Sequence, residues 1–279
     1  GFNLSDVNFG AVLVSDTKNT PLDTSDDINY LALKVDVGSA TLSGIAGLTA
    51  TVTTLSVVVN KTSSTTAPNK VLDFVNTAEE TNTTDTNAAT RSIATGPTTN
   101  LTLDIDGDEG VLLKAVGNAT IDLFGFVSVT GGFGVEKKTN QSIVVSNYAT
   151  PTETRTTVTA NLLTIGLANV SAFVGYGGIG LNLTGVDLAI ALWSEVGGAA
   201  RSWTSVMGSV ASASFAGVTG LTISVTSVGI VVNKKAADNT VVDYFKTDDE
   251  ATAATSLIVT VAPSETVTFS IDDNNGDYI

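Results

Sequence analysis

Along most of the chain apolar and polar residues alternate with a period of two. In "TLDIDGDEGVLLKAVGNATIDLFGFVSVTGGF", which starts at Thr102, Val, Leu, Ile and Phe are interleaved with small or polar residues. Successive side chains of a strand point to opposite faces, so this pattern predicts strands with one apolar face. No window holds apolar residues at i, i+3, i+4 and i+7 over three turns, so no substantial helix is expected. Four polar stretches interrupt the pattern, at 15–29, 61–99, 137–158 and 234–255. They are rich in Thr, Asn, Asp and Pro and read as loops, with islands such as "VLDF" inside them as candidate edge strands.

The alternation slips by one residue at a defined place. Leu48, Ala50 and Val52 are followed by Leu55, Val57 and Val59, with the slip at Thr53 and Thr54. Leu221, Ile223 and Val225 are followed by Val228, Ile230 and Val232, with the slip at Thr226 and Ser227. A one-residue shift turns every later side chain over, so a bulge or corner sits there, or the core changes sides.

The shared slip belongs to a longer repetition. "GFNLSDVNFGAVLV" at Gly1 returns as "GLNLTGVDLAIALW" at Gly180, and "GIAGLTATVTTLSVVVNK" (44–61) aligns without a gap to "GVTGLTISVTSVGIVVNK" (217–234). "LTLDID" (101–106) returns as "VTFSID" (267–272). The offsets 179, 173 and 166 give a period of about 170 residues, with loops absorbing the drift. The expected architecture is all-β: an elongated repetitive structure, either a stacked antiparallel β-sandwich or a β-solenoid-like coil. Residues 1–34 read as the end of a preceding unit, 35–205 as one full repeat, and 206–279 as part of a second. Segments 44–61 and 217–234 are expected to superpose.

Composition removes several function classes. There is no Cys and no His, so thiolate chemistry, disulfides and the usual base of a nucleophilic triad are absent. The 28 acidic and 13 basic residues give a net charge of −15, which repels nucleic-acid backbones and anionic lipid. The uncharged run Thr156–Val186 is broken by Asn, Ser, Thr and Gly into strand-like pieces, so no membrane insertion is expected. An enzyme is not expected either: acid–base work would fall to carboxylates, Lys or Tyr, and the acids lie mainly in loops.

The candidate chemistry is metal binding. "LDIDGDEG" places Asp104, Asp106, Asp108 and Glu109 between two strands, and "IDDNNGD" places Asp272, Asp273, Asn275 and Asp277 at the matching point of the second copy. Closely spaced carboxylates with a Gly for the turn suit Ca²⁺, an oxygen-preferring cation. A hairpin turn is the alternative use of Asp-Gly and Asn-Gly. "GGFGVEKKT" at Gly131 reads as a strand with close-packed glycines. Trp193 and Trp203 flank "SEVGGAAR" and read as cross-strand packing, with sugar stacking as the alternative.

The phrases "GNATIDLFGFVSVTGGFGVEK", "LLTIGLANVSAFVGYGG", "LNLTGVDLAIAL" and "GVTGLTISVTSVGIVVN" resemble the repeat units of giant bacterial surface proteins of the long-adhesin or haemagglutinin-like kind. The likeness covers most of residues 100–234 and the opening block, and rests on glycines and alternating strands. It implies an exported, extracellular, elongated β-rich array at the cell surface, in that family often with calcium-dependent rigidity, and it carries over no binding residue. The expected function is a non-catalytic structural or adhesive repeat module. Its partners are neighbouring repeats or copies of the same protein, with a cell-surface glycan or protein as the further candidate. The alternative is a subunit of an extracellular filament or sheath assembling head-to-tail through β faces.

Overall fold

In the computed structural model, residues 1–20, 22–75, 90–147, 154–245 and 254–273 are described. They form strands β1 (Phe2–Asp16), β2 (Ile28–Ile45), β3 (Leu48–Thr62), β4 (Arg91–Ala94), β5 (Asn100–Leu103), β6 (Leu112–Leu123) and β7 (Val127–Ser146). The second half adds β8 (Arg155–Tyr176), β9 (Ile179–Glu195), β10 (Ser202–Ala216), β11 (Ile223–Lys234), β12 (Val241–Val242), β13 (Ile258–Ala262) and β14 (Glu265–Thr268). A 3₁₀ turn, Gly107–Glu109, precedes β6. The all-β expectation holds, and the strands form one large open antiparallel sheet in place of a stacked sandwich or a solenoid coil. Strands β1-β2-β3-β6-β7-β8-β9-β10-β11 lie side by side, every neighbour antiparallel, and β12 pairs with the far end of β7.

Two inserts stack small hairpins on one face of this sheet. The first, between β3 and β6, carries β4–β5 and buries Phe74, Leu103 and Ile105 against Ala32. The second, after β11, carries β13–β14 and buries Val259, Val261, Phe269 and Ile271 against Leu162, Ala191, Trp193 and Trp203. Gly134 and Gly166, opposite each other in β7 and β8, let the second hairpin lie directly on the backbone. A Cβ at either would come within 2.1 and 2.4 Å of the Thr260 carbonyl oxygen. The close-packed glycines read in "GGFGVEKKT" are therefore real contacts.

The phase slip is a bulge, and the apolar side never changes. One cross-strand row runs Phe9–Val35–Val57–Ala115–Val135–Ile165–Ile190–Val206–Val232. A second runs Phe2–Leu42–Ala50–Ile121–Val129–Ala172–Leu183–Ala213–Val225. Along β6 and β7 the two rows are six residues apart (115 to 121, 129 to 135), so both lie on one face. On the other seven strands they are seven apart, for example 50 to 57 and 225 to 232. The extra residue in each of these strands restores the phase, keeping both rows on the same side. On five strands it adopts positive φ: Asp6 (53°), Thr54 (52°), Asn169 (50°), Gly185 (58°) and Ser227 (57°). The opposite side of the second row is polar, as in Asn3–Thr41–Thr51–Thr120–Thr130.

Two sequence expectations are corrected. The stretch 137–158 reads as a loop, yet β7 runs to Ser146 and β8 starts at Arg155, because "SIVV" and "TTV" keep the alternation through the Thr and Asn richness, while 148–153 lie outside the described residues. In "VLDF" and its counterpart "VVDY", only Val241–Val242 forms a strand. Val71–Phe74 follow the same path without ladder pairing. The boundaries at 34/35 and 205/206 fall inside β2 and β10, so the units are stretches of one sheet.

Candidate functional site

The repetition extends to backbone detail. The pairs Asp6/Gly185, Lys18/Gly197, Asn19/Gly198, Gly44/Gly217, Gly47/Gly220 and Thr54/Ser227 all take positive φ at matching positions. In the first insert Phe74 N–H donates to Ile105 O (2.9 Å), and in the second Tyr244 N–H donates to Ile271 O (3.1 Å). Asp73 and Asp243 each accept, through Oδ1, the amide of the residue two further on, at 3.1 Å. Strands β1–β3 with their insert are thus the structural counterpart of β9–β11 with theirs. Counted across the sheet from β1 to β9, the period is six strands.

The acidic residues read as metal ligands take separate roles. Asp104 carries its carboxylate to Lys34 Nζ at 2.8 Å. Asp106 caps the 3₁₀ turn, its Oδ1 accepting from Asp108 N–H at 2.9 Å. Glu109 lies 4.0 Å from Lys114 Nζ and 3.9 Å from Lys138 Nζ. Asp272 and Asp273 follow β14, with Asp273 fully buried. Asn275 and Asp277 lie outside the described residues. Among the described residues no group of three or more acidic side chains converges as a metal cage would require.

Asp106, Asp108 and Glu109 instead line one wall of a cleft of about 410 Å³ between the inserts. Its floor is an ion network that sequence reasoning missed. Glu136 of β7 is buried, 3.0 Å from Lys138 Nζ and 3.4 Å from Lys114 Nζ, directly across the register on β6. Two ammonium groups offset the charge whose burial would otherwise be costly. The signal was there: Glu136 and Lys138 share a strand face, and the hairpin turn between β6 and β7 sets Lys114 opposite.

Trp193 and Trp203 are register partners in β9 and β10, and both are buried under the second insert. Trp193 Nε1–H donates to Tyr244 Oη (2.8 Å), which donates to Ser205 Oγ (2.9 Å), itself 3.0 Å from Asn233 Oδ1. Trp203 Nε1–H donates to Thr240 O at 3.0 Å. With both indole N–H groups satisfied inside, this pair is core. Burial also holds the Tyr244 phenol well above its ordinary range, against the pull of its Ser205 and Trp193 hydrogen bonds. No helix among the described residues is long and apolar enough to cross a membrane.

The two edges of the sheet are β1 and β11, each interrupted by a bulge, at Asp6 and at Ser227. Long edge strands ordinarily carry Lys, Pro or inward-pointing charge that discourages further pairing. β1 has neither Lys nor Pro along Phe2–Asp16, and the sole charge in β11 is the terminal Lys234. Compared with family models, curated proteins and solved structures, the chain matches none significantly.

Proposed function

We propose that this chain is a non-catalytic structural segment of an extracellular surface array, in which repeat units extend one continuous sheet. The observation that carries the reading is the six-strand period. Six is even, so in an antiparallel sheet each unit re-enters with the same strand direction and the same apolar side. Units can follow one another without a seam, and nearest-neighbour stacking then supplies the stability of a repeat protein. Localisation at the cell surface and adhesion to a glycan or protein rest on the resemblance of the strand phrases alone.

The filament alternative makes a different demand. β1 and β11 run in the same direction, so an edge-to-edge filament joined β11 to β1 would pair parallel, unlike every junction within the chain, which leaves the filament only contact through β faces. The array reading is therefore preferred. Calcium as a stiffening ion is supported by Asp106 and Asp108 sharing one turn, and comparing thermal melts in millimolar calcium and in chelator decides it.

Sheet extension is tested by strand addition. β11 repeats β3, and the outer neighbour of β3 is β6. A labelled peptide of residues 111–124 should bind the β11 edge saturably, as followed by fluorescence anisotropy, while a scrambled peptide should not. Equal binding of both peptides, or of neither, refutes the reading. Fibres grown from the purified chain would favour the filament.

A further inference from the structure

The inserts cover one face of the sheet; across the two apolar rows of the other no described element packs, and at one end Arg155 of β8 pairs with Asp243 of the second insert. That bare face holds the two apolar rows from edge to edge. On it Phe9 is 57% exposed, Leu113 44%, Val135 39% and Ile230 45%. Apart from the bulge residue Asp6, no strand position on this side of β1–β11 is Asp or Glu, although the chain carries −15. Lys61, Lys137 and Lys234 stand on it near one end of their strands.

We infer that this face is the docking surface for the same face of a second copy of the chain. Nine strands spaced about 4.8 Å, over roughly ten residues of about 3.4 Å each, present on the order of 1,300 Å² per copy. A stable protein–protein interface needs about 800 Å² per partner, so the face suffices by itself. Soluble single chains seldom leave a contiguous apolar patch of that size open. The fitting partner for a broad twisted sheet is another sheet of the same twist, packed about 10 Å away with strands within about 30° of alignment. An identical copy supplies it, together with a contact surface free of strand carboxylates that would otherwise repel a second acidic chain. Lys61, Lys137 and Lys234 sit toward one end, where their stems lie along the apolar surface and their ammonium groups reach water. The product is a double layer with both covered faces and all inserts outward.

Sedimentation equilibrium of the full chain at micromolar concentration should give twice the chain mass. The double variant Val135→Lys, Ile165→Lys, at the centre of the face, should give the single-chain mass with unchanged far-UV circular dichroism. If that variant loses its strand signal, Val135→Cys decides instead, since the chain has no other thiol. A nitroxide there should lie within about 20 Å of its counterpart across a face-to-face dimer, whereas edge-to-edge pairing would hold the labels about 40 Å apart. The inference is overturned by a wild-type chain of single mass, by a folded double variant that keeps twice the mass, or by labels at the longer distance. Flotation of single chains with phosphatidylcholine vesicles, abolished in the double variant, would assign the face to lipid and overturn it equally.

Discussion

Asn60 and Asn233 hold the same post in the two copies of the repeat. Both are fully buried at the ends of β3 and β11, and each donates from Nδ2 to an insert carbonyl, Leu72 O at 2.7 Å and Val242 O at 2.8 Å. Each side chain therefore fastens an insert to the edge of the strand it leaves.

Replacing either Asn by Leu should strand that carbonyl under the insert, at a cost of about 1–3 kcal/mol. Asn233→Leu should cost more than Asn60→Leu, because Asn233 also closes the chain Trp193–Tyr244–Ser205. Urea unfolding of the two variants reads the difference. Equal, negligible effects would show that the inserts are held by apolar packing alone.

The bulges offer a sharper test. Ser227 at φ 57° and Thr54 at φ 52° occupy a backbone region that costs an L-residue about 1–2 kcal/mol. Ser227→Gly should be neutral or mildly stabilising, since relief of that strain offsets the greater chain entropy of Gly. Ser227→Val should destabilise by about 1–2 kcal/mol. Deleting Thr54 should do far more, because Leu48, Ala50 and Val52 would then turn to the polar side. Cooperative thermal unfolding should survive the Gly variant and vanish in the deletion.

Much of this was legible in the sequence because it depends on local periodicity. The slip at Thr54 and Ser227 could be read directly from spacing, as could the match between 44–61 and 217–234, since both are properties of single strands. What stayed hidden depends on which strands become neighbours. Lys114 and Glu136 are 22 positions apart, and only the β6–β7 register brings them opposite each other. The acids at 104–109 looked like one cluster because they are adjacent in sequence. In the fold Asp104 pairs with Lys34, 70 positions away, while Glu109 faces Lys114 and Lys138. The loop expected at 137–158 failed for a related reason: Thr and Asn weaken the compositional signal of a strand, but Thr is at home in one.

The two tryptophans supply a spectroscopic check on the core. With Trp193 and Trp203 buried and their N–H groups bonded internally, emission should be blue-shifted and acrylamide quenching weak. Added oligosaccharides should leave both unchanged. A sugar-dependent shift, or quenching as in free tryptophan, would restore the stacking-platform alternative.

The β9–β10 turn should give the fold a defined acid limb. Arg201 donates to Glu195 from Nε (3.0 Å) and from Nη2 (2.7 Å), bonds Asp238 Oδ2 at 2.9 Å, and lies 5.2 Å over the Trp203 ring. The Arg201 hydrogen bonds hold the Glu195 carboxyl down to about 2, from an ordinary 4.5. For Asp238 burial acts upward, but the hydrogen bonds from Thr240 and Arg201 outweigh it and its carboxyl is also lowered. A carboxyl whose folded pKa lies below its unfolded value stabilises the fold fully above the unfolded value, and that stability is lost as pH falls toward the folded one. The loss from Glu195 therefore falls between about pH 4.5 and pH 2. Glu195→Gln should lower the melting temperature at pH 6 and flatten its fall across that window, bringing variant and wild type together near pH 2. Arg201→Met should flatten the same limb, because it frees Glu195 and Asp238 to titrate as ordinary carboxylates. Parallel melting curves for wild type and Glu195→Gln from pH 6 to pH 2 would show that this turn contributes nothing to acid stability.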